Sequence, residues 1–302
     1  MENVSTVSEV SSAKDTSKKS KSLWDHAWET LKKDKVAVIS LTVVAIYALV
    51  AIFSALDLVA ADWAKEVGAS YEAPSWNHFF GTDIFGRSVL AKTIKGTQSA
   101  MSIGLFVATI SVILGLTIGA IAGYYGGKVD EFIVWFYTVF SSIPYLMLLI
   151  SITYILGKGR LAMYLALGLT SWVELCRLIR GEVIRHKNRE YVQAASAIGA
   201  SNFRKLFKHI VPNVFHLVII TFSLQFQNAI KVEVILSFIG LGSSDGIPSW
   251  GTMIDDAKLE LARDVWWQLA GATIAMFFVV LALNLLGDAL RDALDPKLKG
   301  KK

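Results

Sequence analysis

The sequence predicts an all-α, polytopic membrane protein with six transmembrane helices. Hydrophobic residues make up 54% of the 302-residue chain and charged residues only 18%, with a mean hydropathy of +0.49, whereas about a quarter of the residues in soluble domains are charged. Several uncharged stretches also approach or exceed the roughly 20 helical residues that cross a hydrocarbon core about 30 Å thick. A disordered chain is thereby excluded and an ordinary soluble enzyme is disfavoured.

The segments before the first span differ in character. Residues 1–21 are polar without a periodic apolar face, so we expect a disordered cytoplasmic tail. Residues 22–35 predict an interfacial amphipathic helix, because apolar residues recur at helical spacing beside lysines: Leu23, Trp24, Ala27, Trp28 and Leu31. Residues 36–58 predict the first transmembrane helix, and the 35-residue polar leader argues against a cleaved signal peptide.

Four uncharged stretches are long enough to span a bilayer: Val36–Leu56, Met101–Tyr125, Phe132–Gly157 and Val265–Gly287. Two shorter runs meet charges before reaching spanning length: Leu161–Val173, which continues through Glu174 and Arg177, and Val214–Ile230, which meets Lys231 and Glu233. A re-entrant or surface helix is the alternative for each of the shorter runs. Six spans are favoured because losing one would put the termini on opposite sides.

The distribution of Lys and Arg predicts the orientation. Twenty-one of these residues fall on the side of the termini and eight on the other side, and cytoplasmic loops carry the excess. Both termini are therefore predicted to be cytoplasmic. Residues 59–98 then form an external segment, 99–290 the transmembrane core and 291–302 a cytoplasmic C-terminal tail.

Two spans contain residues that predict helix packing. Ser111, Gly115, Gly119 and Gly123 recur at intervals of four, and small residues at this spacing let two helix backbones approach closely. We therefore expect a helix–helix seam there. In the third span Pro144 removes a backbone donor after two serines, which predicts a kink with a role in either gating or packing.

The sequence offers no catalytic constellation. No G-x-x-x-x-G-K-[ST] loop occurs, so the chain is not expected to hydrolyse ATP, and no nucleophile–base or carboxylate pair is placed for chemistry. Cys176 is the single cysteine and the five histidines lack ligand spacing, so neither a disulfide nor a metal or cofactor site is expected. The net charge of +5 reflects basic cytoplasmic loops and does not require a nucleic-acid partner.

The longest and most basic internal loop, residues 177–213, is called the coupling loop below. Its sequence predicts a helix from Glu190 to about Gly199 and a second short helix, Phe203–His209, ended by Pro212. Alanines and a glycine make the first helix narrow. The pair suits a docking surface for another protein, and a plain interfacial loop is the alternative.

Here the residues resemble a known family. The run Gln193-Ala194-Ala195, with Gly199 and Val211-Pro212 after it, resembles the EAA loop of permease subunits of ABC importers. Further stretches follow in the family's order: GTDIFGRS at 81–88, GYYGGKVD at 123–130, LSFIGLG and PSWG within 236–251, and NLLGD, RD and LDP within 284–296. Over residues 23–298 the chain resembles the second permease of oligopeptide and dipeptide importers.

The resemblance implies the type I ABC importer permease fold in the inner (plasma) membrane. It also implies a homologous permease subunit, two cytoplasmic ABC ATPase subunits and an extracytoplasmic solute-binding protein as partners, together with the lipid bilayer. ATP binding would drive alternating access for peptides through the two permease loops. The residues that would couple this chain to the ATPase are Tyr191, Gln193, Ala194, Ala195, Gly199 and Pro212, with Ala194, Ala195 and Gly199 expected to face a cleft on the ATPase.

The chain departs from the family pattern at several points. Gln193 replaces the usual acidic residue, which excludes a salt bridge from that position, and His209 and Val211 replace an Ile and a Leu. The cargo stays open, with nickel chelates, opines or sugar oligomers as alternatives to peptides. An ion-coupled secondary transporter is a rival, but no repeat relates the two halves of the chain. A non-transport membrane scaffold is the third alternative.

Lys231 stands where the family pattern leads us to expect an apolar residue. Gln227 and Asn228 precede it by four and three residues, so the three side chains share one polar stripe of a helix. We expect this stripe to line the translocation pathway, with Lys231 attracting a carboxylate. An ion pair with the partner permease and snorkelling towards the membrane surface are the alternatives.

Overall fold

The computed structural model describes residues 23–157, 159–242 and 246–294, with side chains from residue 28 onwards. Within these ranges the chain is helical and contains no β-strand. The predicted disordered tail (1–21) and the last eight residues of the predicted C-terminal tail lie outside the described residues. The predicted all-α fold class is confirmed.

The helices follow one another in this order: α1 Leu23–Lys33, α2 Lys35–Ala55, α3 Val89–Tyr125, α4 Gly127–Ser141, α5 Tyr145–Leu156, α6 Arg160–Thr170, α7 Val173–Lys187, α8 Glu190–Ala197, α9 Asn202–Arg204, α10 Val211–Leu236, α11 Trp250–Leu261 and α12 Trp267–Leu294. Wider π-helical turns, Lys205–Ile210 and Ser237–Leu241, flank α10. Among the described residues, α2, α3, α6–α7, α9–α10 and α12 are long and apolar enough to cross a membrane, and α4–α5 adds a sixth span if counted together.

The third span was predicted to be one kinked helix, but the structure shows two separate helices. It consists of α4 and α5, which meet at 90°. Pro144 lacks the backbone donor that would continue α4, and its ring disfavours helical geometry at Ile143. The Ser142 hydroxyl donates to the Thr138 carbonyl, at 2.9 Å, and closes the end of α4.

Helix α3 begins at Val89, two residues after Arg87 of the Glu66–Arg87 bridge and well before Met101, where the uncharged run of the predicted span starts. The additional turns contain Lys92 and Lys95, which are both buried and paired. Lys95 Nζ lies 2.8 Å from both Asp57 Oδ1 and the Ser54 carbonyl oxygen. The segment between α2 and α3 ends at Ser88, whose hydroxyl accepts the Ala91 N–H and caps α3.

The predicted helix seam is confirmed between α3 and α7. A Cβ at Gly119 would lie 2.5 Å from the Cys176 carbonyl oxygen, and one at Gly123 would lie 2.6 Å from that of Arg180. Only glycine therefore allows the two backbones to come so close. Ser111 adds a hydrogen bond of 2.9 Å to the Ser171 carbonyl across the same region.

The second short helix of the coupling loop is not a separate element ended by Pro212. Helix α9 continues through the π-helical turn directly into α10, and Pro212 lies in the first turn of α10. Proline lacks the backbone N–H that would continue the helical hydrogen-bond pattern at this position. The wide turn before it accommodates the missing hydrogen bond.

Candidate functional site

A cavity of about 620 Å³, lined by both apolar and polar side chains, opens where α4 breaks from α5. Its walls come from the break itself, from the α6–α7 junction and from one face of α10. The polar side chains on these walls are Ser141, Ser142, Tyr145, Thr170, Ser171, Glu174, Arg177, Gln225 and Asn228. Irregular backbone at membrane depth is tolerated where it lines such a cavity, which explains how the broken pair can be accommodated.

The cavity lies at the junction between the apolar and the charged part of the α6–α7 run. Glu174 directly follows the uncharged residues Leu161–Val173, and Arg177 lies one turn further towards the coupling loop. The Gln225 amide donates to the Ser171 carbonyl at 3.3 Å and joins α10 to the α6–α7 junction at the same level. Ser142, Glu174 and Arg177 are exposed there, and charged groups in a membrane-spanning helix face a partner or a water-filled space rather than lipid.

The two charged residues of the cavity differ in their contacts. Arg177 Nη2 donates to Ser141 Oγ at 3.0 Å, and the guanidinium lies 4.8 Å from the centroid of the Tyr137 ring. Glu174 has neither a hydrogen bond nor an ion pair to any side chain in the described ranges. Sequence reasoning had treated both charges as interruptions of a weak span, although a charged pair inside an apolar run is itself a sign of a functional site.

The three residues of α10 that were predicted to line the pathway have different environments in the structure. Asn228 lines the cavity, and Lys231 is exposed one turn further along the helix. Gln227 is buried, and its Oε1 has no hydrogen-bond partner within the described residues. Asn228 and Lys231 therefore share an accessible side of α10, whereas Gln227 points into the protein.

The coupling loop contains α8, which ends in a Schellman motif. Gly199 adopts a φ of +80°, its N–H donates to the Ser196 carbonyl, and the Ala200 N–H donates to the Ala195 carbonyl, each at 3.0 Å. The predicted helix end near Gly199 is confirmed. A Cβ at Gly199 would meet no atom within 4 Å, so within this chain the backbone conformation, not space, is what favours glycine.

The exposed surface of α8 differs from the predicted one at Ala195. That side chain is only 4% exposed and faces the interior of the chain, so the expectation that it faces an ATPase cleft was wrong. Ala194 and Gly199 are exposed as expected. Ile198 and Phe203, which the sequence analysis did not single out, are 84% and 69% exposed, and they make the tip of the loop apolar.

The remaining predicted loop residues hold the tip in place or lie at its edge. The Tyr191 hydroxyl lies 2.8 Å from His186 Nδ1, which ties α8 to the end of α7, and burial raises the pKa of Tyr191. The Gln193 amide donates to the Asn188 carbonyl at 3.3 Å. Pro212 is exposed in the first turn of α10.

At the opposite end of the helices, the segment between α2 and α3 is fixed by a buried group that we call the Asp83 cluster: Asp83, Arg87, Lys92 and Gln268. Lys92 Nζ lies 2.9 Å from Asp83 Oδ2 and 2.8 Å from Gln268 Oε1, and Arg87 Nη2 lies 2.7 Å from Asp83 Oδ2. Burial by itself raises the pKa of Asp83, but the hydrogen bonds and charges of Arg87 and Lys92 outweigh it, so the pKa is lowered.

Comparisons with known proteins define the class. The family model for "binding-protein-dependent transport system inner membrane component" matches residues 115–300. That for the "N-terminal TM domain of oligopeptide transport permease C" matches residues 22–66. The chain therefore belongs to the binding-protein-dependent transport permeases, which are multi-pass components of the inner membrane.

Individual relatives align over nearly the whole chain. The oligopeptide transport system permease protein OppC of Bacillus subtilis is 35% identical over 95% of this chain and 94% of its own length. The dipeptide transport system permease protein DppC of Alkalihalophilus pseudofirmus is 35% identical over 91% and 90%, respectively. The glutathione transport system permease protein GsiD of Escherichia coli O6:K15:H31 is 32% identical over 92% and 91%.

Proposed function

We propose that this chain is one of two homologous permease subunits that together form the alternating-access pathway of an ATP-driven peptide importer. The cavity at the α4–α5 break would be this chain's share of that pathway. One observation carries the proposal: charged and polar side chains of helices long and apolar enough to span a membrane are exposed together in one cavity, beside a broken helix. Lipid cannot satisfy these groups, whereas a second permease and a hydrated substrate can.

Peptides are the proposed cargo because the relatives named above transport oligopeptides, dipeptides or glutathione, itself a small peptide. The cavity's mixture of a carboxylate, a guanidinium and neutral hydrogen-bonding groups suits a zwitterionic substrate. Membership of a binding-protein-dependent family argues against the ion-coupled alternative. Nickel chelates, opines and sugar oligomers remain outcomes for the uptake experiment below.

The proposed partners are two cytoplasmic ATPases, a homologous permease and an external solute-binding protein. Both termini would lie in the cytoplasm, as the 21-to-8 distribution of basic residues predicts. The coupling loop would then face the ATPase, with Ile198 and Phe203 as apolar anchors. Lys231, one turn beyond Asn228 towards the outside, would lie on the entrance side of the cavity.

The test is uptake by the complete importer in proteoliposomes, with labelled dipeptide, tripeptide, glutathione, nickel chelate, opine and sugar oligomer offered in turn. We expect peptide uptake that requires ATP and the binding protein. Ser142→Trp should fill the cavity and lower peptide uptake at least tenfold while the ATPase still copurifies. Ile155→Trp, on the exposed apolar face of α5, is the matched control and should transport normally. Uptake of a non-peptide cargo alone, or normal uptake by Ser142→Trp, would contradict the proposal.

A further inference from the structure

Glu174 is an exposed carboxylate on the wall of the cavity, without a partner among the side chains described. The neighbouring cation does not neutralise it. Arg177 is three residues away on α7, but its guanidinium contacts Ser141 and the Tyr137 ring instead. The cavity thus presents a carboxylate whose charge is met by no cation of this chain in the described ranges.

The position of Glu174 in the first turn of α7 explains only part of its presence. A carboxylate near a helix N-terminus is stabilised only weakly by the helix dipole. An ionised side chain in a membrane-spanning helix usually faces a partner or a water-filled space, because lipid cannot solvate it. The carboxylate therefore needs water or a cationic ligand in the cavity.

The other walls of the cavity favour a ligand that brings its own cation. The α4–α5 break offers the hydroxyls of Ser141 and Ser142, and α10 offers the amides of Gln225 and Asn228. These groups are neutral, so within the cavity only Arg177 competes for the carboxylate. A primary ammonium group has three donors, which matches one carboxylate together with neighbouring hydroxyl and amide oxygens.

We infer that Glu174 is the cation receptor of this cavity and binds the α-ammonium group of a peptide in transit. The inference rests on the proposed function and adds the part of the substrate that this chain recognises. The contact would be a charge-assisted hydrogen bond between the ammonium and the carboxylate, which is stronger than a neutral one. Blocking the ammonium group should therefore matter more to the wild type than to a variant without the carboxylate.

The experiment compares uptake of one peptide in its free and its N-acetylated form by the complete importer. Glu174→Gln keeps the shape of the side chain and removes its charge. We expect its uptake efficiency for the free peptide to fall at least tenfold, and the ratio of free to acetylated uptake to shrink. Glu174→Asp should recover part of the ratio. The matched control is Glu182→Gln, on the same helix outside the cavity and paired with Arg185 at 2.9 Å, which should leave the ratio unchanged.

The opposite outcomes are distinct. An unchanged ratio in Glu174→Gln, with normal peptide uptake by the wild type, overturns the role of Glu174 alone. If the partner permease no longer copurifies with the Glu174→Gln variant, Glu174 forms an ion pair between the two permeases. This result also overturns its role as the ammonium receptor. Absence of peptide uptake by the wild type overturns the proposed function, and the ammonium receptor with it.

Discussion

At the end of the helices predicted to face outwards, polar groups are buried and paired within the chain, whereas the coupling loop at the other end exposes apolar side chains. Lys92 is 3% exposed and lies between Asp83 and Gln268, and the Trp267 indole donates to the Thr82 carbonyl at 2.9 Å. Ile198, by contrast, is 84% exposed at the tip of the coupling loop. The Asp83 cluster is completed by residues of this chain, whereas the tip of the coupling loop is an apolar surface that a partner would complete. Substitutions should therefore affect stability at one end and assembly at the other.

Lys92→Met should produce the largest loss of stability. It removes the lysine from Asp83, which keeps Arg87 as a partner, and it leaves Gln268 Oε1 without its donor. Losing a hydrogen bond to a charged group typically costs about 1.5–3 kcal/mol. We expect a large decrease in the thermal unfolding temperature of the purified permease. The control is Lys65→Met, an exposed lysine of the same segment, which should change stability little. Equal unfolding temperatures for the two variants would mean that the Asp83 cluster does not hold this end together.

Ile198→Asp should show the opposite behaviour. Because the side chain touches little of its own chain, the variant should unfold at the wild-type temperature. A charge at the centre of an apolar interface removes about 2 kcal/mol or more of binding energy at typical hot spots, so the ATPase should no longer copurify. Ala195→Asp, three residues earlier and buried, should instead destabilise the permease. Normal ATPase binding by Ile198→Asp would remove the tip from the interface.

These two regions also differ in how far the sequence predicted them. The helix ending at Gly199 and the glycine seam of α3 follow from local spacing, and both were confirmed. The first turns of α3 lie outside the uncharged run Met101–Tyr125, because Lys92 and Lys95 become compatible with a buried helix only through Asp83 and Asp57, which lie outside that helix. A hydropathy profile does not reveal such ion pairs, because their partners are distant in sequence and come together only in the folded chain.

The candidate site was likewise only partly predictable. Asn228 was found because its polar stripe lies on one helix, yet the same periodicity wrongly grouped Gln227 with the accessible residues. Glu174 and Arg177 face the cavity only because α4 and α5 meet at 90°. Pro144 predicted a bend there, but the size of the bend depends on packing between distant segments.

The outward end should also respond to pH through Glu260 on α11, outside the membrane-spanning helices. Its Oε2 is buried without a hydrogen-bond partner in the described residues. Burial raises its pKa from 4.5 to about 7; Lys92 opposes the shift, and Asp256 and Asp83 add to it. The folded state therefore holds a proton that the unfolded state has lost, and this group's contribution to stability declines as the pH rises from about 4.5 to 7.

The slope of that decline is at most about 1.4 kcal/mol per pH unit. Glu260→Gln should remove it, so the variant should gain unfolding temperature over the wild type as the pH rises from 5 to 8. Thermal unfolding of both proteins across this range measures the difference. Glu66→Gln, an exposed glutamate of the neighbouring segment, serves as the control. A difference between Glu260→Gln and wild type that stays constant with pH would show that Glu260 ionises normally.

The smallest expected effect is at Gly199. Substitutions there distinguish whether glycine is needed for the backbone conformation of this chain or for contact with a partner. Alanine at a φ of +80° should destabilise α8 by about 1 kcal/mol, because the left-handed conformation crowds a Cβ against the backbone. Asparagine tolerates this conformation far better, and no atom of the chain lies within 4 Å of the added Cβ. Gly199→Asn should therefore keep the wild-type unfolding temperature. If its ATPase also copurifies and uptake is normal, glycine serves only to end the helix. If stability is normal but the ATPase no longer copurifies, the partner must approach the backbone of Gly199 so closely that no side chain fits. The coupling loop would then be an interface that includes both the apolar tip and Gly199.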